Sequence, residues 1–463
     1  MPFEFPTQSR ALTQSTRFQA AKNELIKTIL EASAKVRAVK PSPSTSEVRD
    51  AYKATIQQYA KDRGRDLYYP FISSGLGAGP FVELLDGSVK YDMITGIGIN
   101  FFGHTNTDYI SEIIDGLGQD VMQGNLEPGN EMSILVNTIL SKVGAKCRLK
   151  HGWLMCSGTM ANEVALKMVR QKKAPATKIL AFQDAFHGRS TAMQELTDNP
   201  AYRQGQPVYG EVEYLTFYDP KQSLEQNIEL TLAQVKQHTH RYPGKFAALL
   251  IEPVQGEGGF NFAPREWYVR LFDEVKKAGL AVWCDEVQTF GRTGELFAFQ
   301  KFGLEEYVDV VTIGKLLQSC MVLFTEEYNP KPGLVAGTFS GSTAALRTAR
   351  RTLEMLCNDG HLGKDGKIEK LSARFVSNLK KLGESTCKGK LNEVRAIGGM
   401  IAFQPLSGTQ EEVKAVLMKL FDLGVITFNC GHGPYLVRML PPLPVMSEED
   451  VDGVCRLIGE ALA

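Results

Sequence analysis

Three short apolar runs constrain this chain more than any other feature. Phe246–Ile251, Leu280–Cys284 and Val308–Ile313 are each about one strand long, and stretches of helical periodicity separate them. Such runs between helices are the pattern of parallel strands buried on both faces of an α/β sheet. Each run stops at ionisable side chains: Glu252, then Asp285-Glu286, then Lys315 beyond Gly314. In open α/β sheets the working groups gather just past the carboxyl ends of the strands. Three consecutive strand ends are therefore expected to aim charge at one crevice.

The rest of the chain is read around that sheet. Its 463 residues are enough for two or three domains at roughly 150 residues each. We expect an N-terminal helical segment over 1–75, a large domain over 76–345 with 76–110 contributing to a smaller one, and a small C-terminal domain over 346–463. Helices are expected over 11–38, around 46–60 and over Thr343–Leu356, with a break at Pro41-Ser42-Pro43-Ser44. Lys+Arg and Asp+Glu both number 52, so charge gives no reason to expect nucleic acid or an anionic membrane as partner. No apolar stretch approaches the roughly 18 residues of a membrane span. Eight cysteines without a CxxC pair point to reduced thiols in a cytoplasmic enzyme. From Phe5 to Asn23 there are basic residues and no acid, a faint transit-peptide pattern. Glu4 and the lack of an Arg-rich amphipathic stripe favour an ordinary first helix.

Lys315 follows the apolar run Val310–Ile313 and Gly314. Poor hydration there lowers a lysine's pKa and makes it a nucleophile or Schiff-base former; the alternative is a surface lysine opening a helix. Asp285 lies so deep that it needs a cationic partner, either a protonated pyridine nitrogen or an arginine elsewhere in the fold. Ser157-Gly158-Thr159 opens a helix whose apolar face is Ala161, Val164, Ala165 and Met168. Free N–H groups and the helix dipole suit an anion there, although a plain Ser/Thr N-cap satisfies the same motif. Gly75-Leu76-Gly77-Ala78-Gly79 runs into Pro80 and opens no helix, which argues against a dinucleotide fingerprint. His238-x-His240 has no further ligand nearby in sequence, so no metal is expected. Cys156 and Cys320 flank the candidate site without a histidine partner and are expected to be buried and inert.

A phosphate cradle, a buried aspartate and a strand-end lysine are together what pyridoxal phosphate needs. With them in view, the chain resembles the class III (ω-amino acid) aminotransferases from about Gly79 to the C-terminus. The matching segments run in family order: Asp86-Gly87 to Gly103-His104, Ser157-Gly158-Thr159, Phe186-His187-Gly188-Arg189 and Ile251-Glu252-Pro253-Val254-Gln255-Gly256-Glu257-Gly258-Gly259. They continue with Asp285-Glu286-Val287-Gln288-Thr289, Gly291-Arg292-Thr293-Gly294, Gly314-Lys315, Gly337-Thr338-Phe339 and Arg438. The resemblance implies a fold type I pyridoxal-phosphate transferase: an α/β large domain with a mostly parallel central sheet, plus a smaller α+β domain.

It also implies site roles. Lys315 would carry the cofactor and move the proton, and Asp285 would hold the pyridine nitrogen protonated. Gln288 would bind the ring oxygen, while Phe186 and Val287 would cover the ring faces. Ser157, Gly158 and Thr159 would hold phosphate, and Thr338 would reach the phosphate of a neighbouring subunit, which implies a homodimer with shared sites. Glu252 and His187 complete the pocket set, with His187 read as structural. Arg189 would grip the donor's distant carboxylate, as a bidentate fork does well. Glu257 and Arg438 would form a gated pair, Glu257 masking Arg438 for the ω-amino donor and releasing it for the α-carboxylate of 2-oxoglutarate.

The departures from the family fall beside the site: Met160 after Ser-Gly-Thr, a shortened Phe290 loop, Leu316-Leu317-Gln318-Ser319-Cys320 after the lysine, and Ser340-Gly341-Ser342 after Phe339. The Lys315-x-x-Gln318-x-Cys320 stretch and Phe-His-Gly-Arg-Ser look more like lysine 6-aminotransferases than acetylornithine enzymes, and they keep features shared with 4-aminobutyrate aminotransferases. The expected reaction is transfer of a terminal amine to 2-oxoglutarate, with L-lysine as first donor and 4-aminobutyrate or (acetyl)ornithine as alternatives. The rivals are a same-fold aminomutase and a binding protein that kept the fold.

Overall fold

The computed structural model describes residues 5–41 and 45–463. Glu4 and the Ser42–Ser44 part of the expected chain break lie outside them. The chain packs as two compact units: Val121–Gly366 with Cys430–His432, and the segments up to Asp120, Lys367–Asn429 and Gly433–Ala463. The boundaries at 75 and 345 expected from composition remain a proposal about independent folding.

The larger unit is built on seven strands: β1 (Leu149–Met155), β2 (Lys178–Phe182), β3 (Val212–Leu215), β4 (Phe246–Ile251), β5 (Ala281–Glu286), β6 (Val310–Ile313) and β7 (Cys320–Thr325). Their order across the sheet is β1-β7-β6-β5-β4-β2-β3. Only β7 runs against its neighbours β6 and β1; the other pairings are parallel. The fold class therefore agrees with the expectation. Every residue of β4, β5 and β6 is buried, as continuous apolar runs require when both faces are covered.

β6 begins at Val310, and Asp309 before it bonds to both neighbouring strands, its N–H donating to the Val282 carbonyl and its carbonyl accepting the Thr325 N–H. Its carboxylate accepts the Val282 N–H at 2.8 Å and pairs with Arg148 and Lys276. Helix α1 (Gly158–Lys173) packs on the sheet through Ala161, Val164, Ala165 and Met168, the stripe its periodicity predicted. This unit also holds the helices α2 (Leu224–Arg241), α3 (Arg265–Lys277) and α4 (Thr343–Asn358).

The smaller unit mixes helices with two antiparallel-rich sheets. One orders Ser73–Ala78, Phe81–Leu84, Val89–Asp92 and Val425–Ile426 side by side. Gly75–Gly79 thus serves a strand and its turn. The long first helix expected over 11–38 is two helices, Gln8–Gln14 and Thr16–Ser33. Ser15 separates them because its Oγ accepts the Phe18 N–H and caps the second. Among the described residues, no helix is long and apolar enough to cross a membrane.

Candidate functional site

The carboxyl ends of β1, β2, β4, β5 and β6 all open on one edge of the sheet, and the site is assembled from the residues just beyond each strand. At its floor is Asp285, the fifth residue of β5, paired in register with Thr312 of β6. The Asp285 side chain is 4 % exposed and its oxygens are hydrogen-bonded within the fold. Oδ2 lies 2.8 Å from His187 Nδ1 and accepts the Asn162 amide at 2.8 Å; Oδ1 accepts the Val287 N–H at 3.0 Å. Burial pushes this carboxyl up, but the His187 hydrogen bond and charge outweigh it and hold it below its ordinary value. The arginine partner considered from sequence is therefore replaced by a histidine.

Asn162 ties the floor together. Its amide also donates to the His187 carbonyl at 2.8 Å, and its Oδ1 accepts the Thr312 hydroxyl at 2.7 Å. Sequence reasoning missed both residues. Asn162 was visible as a polar side chain in the middle of an apolar stripe, next to Ala161. Thr312 was visible as a hydroxyl inside an otherwise aliphatic strand.

Lys315 leaves the end of β6 after extended Gly314, with its own φ at 51°. A lysine in the left-handed region costs of order 1 kcal/mol or more and persists only where its surroundings fix it. Two contacts do so: its N–H donates to Cys320 Sγ, and its carbonyl accepts the Gln318 N–H at 2.9 Å. Gly314 cannot carry a side chain, because a Cβ would sit 2.8 Å from Cys320 Sγ.

Ser157 caps α1, its side chain accepting the Met160 N–H at 3.2 Å. Gly158 and Gly188 line this helix end with backbone alone. A Cβ on Gly158 would lie 2.7 Å from Val287 Cγ1, and one on Gly188 2.6 Å from Thr159 Oγ1. Val287 thus packs against the helix N-terminus, and Thr159 against the Phe186–Arg189 loop. Gln288 is buried, and its Oε1 has no hydrogen-bond partner among the described residues.

Glu252 follows β4 and bridges two loops. Oε2 accepts the Phe186 N–H and Oε1 the Gly256 N–H, both at 3.1 Å. Burial raises its pKa to about 7 despite the nearby His187 charge. Arg189 is exposed, and its guanidinium lies 4.0 Å over the Tyr202 ring and 5.9 Å from that of Phe186. Glu257 is half-buried in the larger unit, and its carbonyl accepts the Gly431 N–H at 2.8 Å. Arg438 belongs to the smaller unit, where it is fully buried on Leu436–Met439 with its guanidinium 5.4 Å from the Phe428 ring centre.

Thr338 is exposed, on a segment held by short pairing of Gly341–Ser342 with Met122–Gln123. Cys156 is exposed rather than buried, because it lies past the sheet edge after Met155. Cys320 is half-buried rather than buried, and desolvation pushes its thiol up to about 11. His238 faces Glu213, 3.6 Å away.

The family model for class-III aminotransferases matches residues 65–462. The chain belongs to the class-III aminotransferases. It is therefore a pyridoxal-phosphate-dependent transaminase that uses an amino donor and a 2-oxo acid acceptor. An acetylornithine aminotransferase of Mycobacterium tuberculosis is 28 % identical over 392 residues, covering 83 % of this chain and 90 % of that protein. A 4-aminobutyrate aminotransferase of the same organism is also 28 % identical, over 84 % of this chain and 93 % of its own. Among solved structures, a lysine aminotransferase from M. tuberculosis in its internal aldimine form superimposes with a TM-score of 0.77 at 22 % identity. That superposition covers 88 % of this chain and 99 % of the other, and it shows a shared fold.

Proposed function

We propose that this transaminase moves the terminal amine of a basic or ω-amino acid, L-lysine first, to 2-oxoglutarate, leaving a semialdehyde and glutamate. The observation that carries the site assignment is the buried Asp285–His187–Asn162 cluster, one strand away from the end on which Lys315 is held in a left-handed turn. A lowered carboxyl pKa keeps Asp285 anionic, as the partner of a protonated pyridine nitrogen must be. The buried Gln288 side chain has an amide N–H to donate to the ring oxygen, and the glycine-walled start of α1 suits phosphate. Bound there, pyridoxal phosphate supplies an electron sink for the carbon that bears the amine.

The chain's own residues do the rest. Lys315 Nζ anchors the cofactor and carries a proton to and from the amine-bearing carbon. Asp285 keeps the ring nitrogen protonated, and His187 and Asn162 hold Asp285 in place. Ser157, Gly158 and Thr159 receive phosphate through backbone N–H groups and hydroxyls; Phe186 and Val287 cover the ring, and Glu252 fixes the loop that carries Phe186. Arg189 takes the donor's distant carboxylate. Glu257 and Arg438 act as the gate that admits a dicarboxylate in the second half-reaction, and the two successive half-reactions give ping-pong kinetics.

A homodimer with shared sites is part of the proposal. Support comes from exposed Thr338 and from large apolar side chains on the same unit: Leu126 at 96 %, Val121 at 79 % and Phe339 at 63 % exposure. A cytoplasmic location rests on eight free cysteines.

The test is the visible absorbance of the protein with pyridoxal phosphate, titrated separately with L-lysine, 4-aminobutyrate and N-acetylornithine. A donor that bleaches the band, with 2-oxoglutarate restoring it, names the substrate. A band indifferent to all three refutes the donor class while leaving the cofactor intact. Turnover without any keto acid would point to an aminomutase instead.

A further inference from the structure

The arginine expected to meet the donor's carboxylate does not stand alone. Its guanidinium lies 4.0 Å above the ring of Tyr202, and that ring meets Phe186 edge-on at 5.8 Å with an interplanar angle of 88°. We propose that Tyr202 is a specificity-determining positioning residue: an aromatic shelf that fixes the reach of Arg189 toward the far carboxylate of the amino donor. This rests on the reading of Arg189 as the carboxylate receptor.

The shelf is built into the fold. Tyr202 ends a short 3-10 turn, Pro200–Tyr202, capped by Asn199, whose Oδ1 accepts the Ala201 N–H at 2.9 Å. The segment before it is laced to the loop that carries Arg189. Thr197 Oγ1 accepts the His187 N–H and donates to the Gly188 carbonyl, both at 2.9 Å. The Asp198 N–H donates to the Ala185 carbonyl at 2.9 Å, and Asp198 Oδ2 accepts the Asp184 N–H at 3.1 Å. Arg189 and Tyr202 therefore sit on two segments whose spacing is fixed by hydrogen bonds, not by the stack itself.

The physics of the stack suits recognition. At 4.0 Å from the ring centre the guanidinium is in cation–π range, and a guanidinium held by its face keeps its in-plane N–H edges for a bidentate carboxylate. An exposed arginine otherwise samples many rotamers, and ordering it on binding costs affinity. A shelf removes part of that cost in advance. It also sets one distance from Arg189 to the cofactor pocket, since Phe186 abuts the same ring. Donors of matching length then gain most, which is discrimination by length. Tyr202 itself carries no group to the reacting atoms and acts through Arg189, so the effect belongs in KM for the donor.

The experiment uses the cofactor-loaded enzyme with L-lysine and with 4-aminobutyrate as donors at saturating 2-oxoglutarate, comparing wild type, Tyr202→Leu, Tyr202→Phe and Arg189→Leu. Tyr202→Leu keeps the bulk and loses the π face; it should raise donor KM about five- to tenfold, with kcat within about twofold and the visible cofactor band unchanged. Tyr202→Phe should restore KM to within about twofold of wild type, because phenylalanine keeps the face. An unchanged donor KM in Tyr202→Leu, with a raised one in Arg189→Leu, overturns the role of Tyr202 and spares that of Arg189. An unchanged KM in Arg189→Leu overturns the carboxylate-receptor reading, and the shelf falls with it. Equal losses in Tyr202→Phe and Tyr202→Leu also overturn the shelf, since the ring face would not be the cause.

Discussion

At Asp285 burial and pairing pull in opposite directions, and pairing wins. The carboxylate has lost its water, yet a histidine, an amide and a backbone N–H replace it. The same balance makes Asn162 vulnerable. Asn162→Ala leaves the Thr312 hydroxyl and part of the Asp285 carboxylate unpaired in the interior, which costs about 1–3 kcal/mol. Denaturant unfolding should read that loss, and the cofactor's affinity should fall with it; an unchanged midpoint would mean that water takes over the amide's bonds. Glu252 shows the reverse balance, since its pKa is raised to about 7 by burial. Between the ordinary carboxylate range and about 7 the native state holds this proton more tightly than the unfolded chain does. The group's contribution to stability therefore falls as pH rises through that window. Glu252→Gln removes the titration, so its Tm relative to wild type should be more favourable at pH 8 than at pH 5. A difference that does not move with pH would show that Glu252 stays ionised throughout.

At the scale of elements, the ends of β4, β5 and β6, the loop after β2 and the start of α1 make the site. Strands β4, β5 and β6 were legible because a strand buried on both faces is mostly apolar, so the ionisable residue that ends the run marks the rim. Helix α1 was legible because its stripe falls at helical spacing and a serine precedes it. Ser157 therefore has a cap's measurable value: Ser157→Ala should destabilise the apo protein by about 1 kcal/mol. It should also weaken pyridoxal phosphate binding by more than the cap loss alone, if the hydroxyl also serves the phosphate. Fluorescence titration of apo protein with the cofactor separates these, and equal losses would reduce Ser157 to a cap. The single long helix expected over 11–38 failed at Ser15, where a side-chain cap competes with continuation of the helix. Periodicity does not register that competition, because a serine fits the polar face equally well.

At the scale of the whole molecule, the exposed apolar residues around Leu126 and Phe339 predict association. Light scattering should give twice the mass of one 51.2 kDa chain. Phe339→Asp should shift the protein toward monomer and remove most activity if Thr338 serves a neighbour's site; an active monomer would refute shared sites. The sequence by itself determined the fold class, the order of the strand-end groups and the identity of the cofactor. Those follow from burial and from short motifs, which are local properties of the chain. Only the tertiary structure decided that His187 from the loop after β2 and Asn162 from α1 both meet Asp285 of β5. It also decided that Tyr202 lies beneath Arg189 and that Cys156 is exposed. These contacts join residues brought together by strand order and loop path. Hydrogen-bond and stacking energies fall off within a few ångströms, so such partners are set by where the folded chain places them and not by their spacing along it.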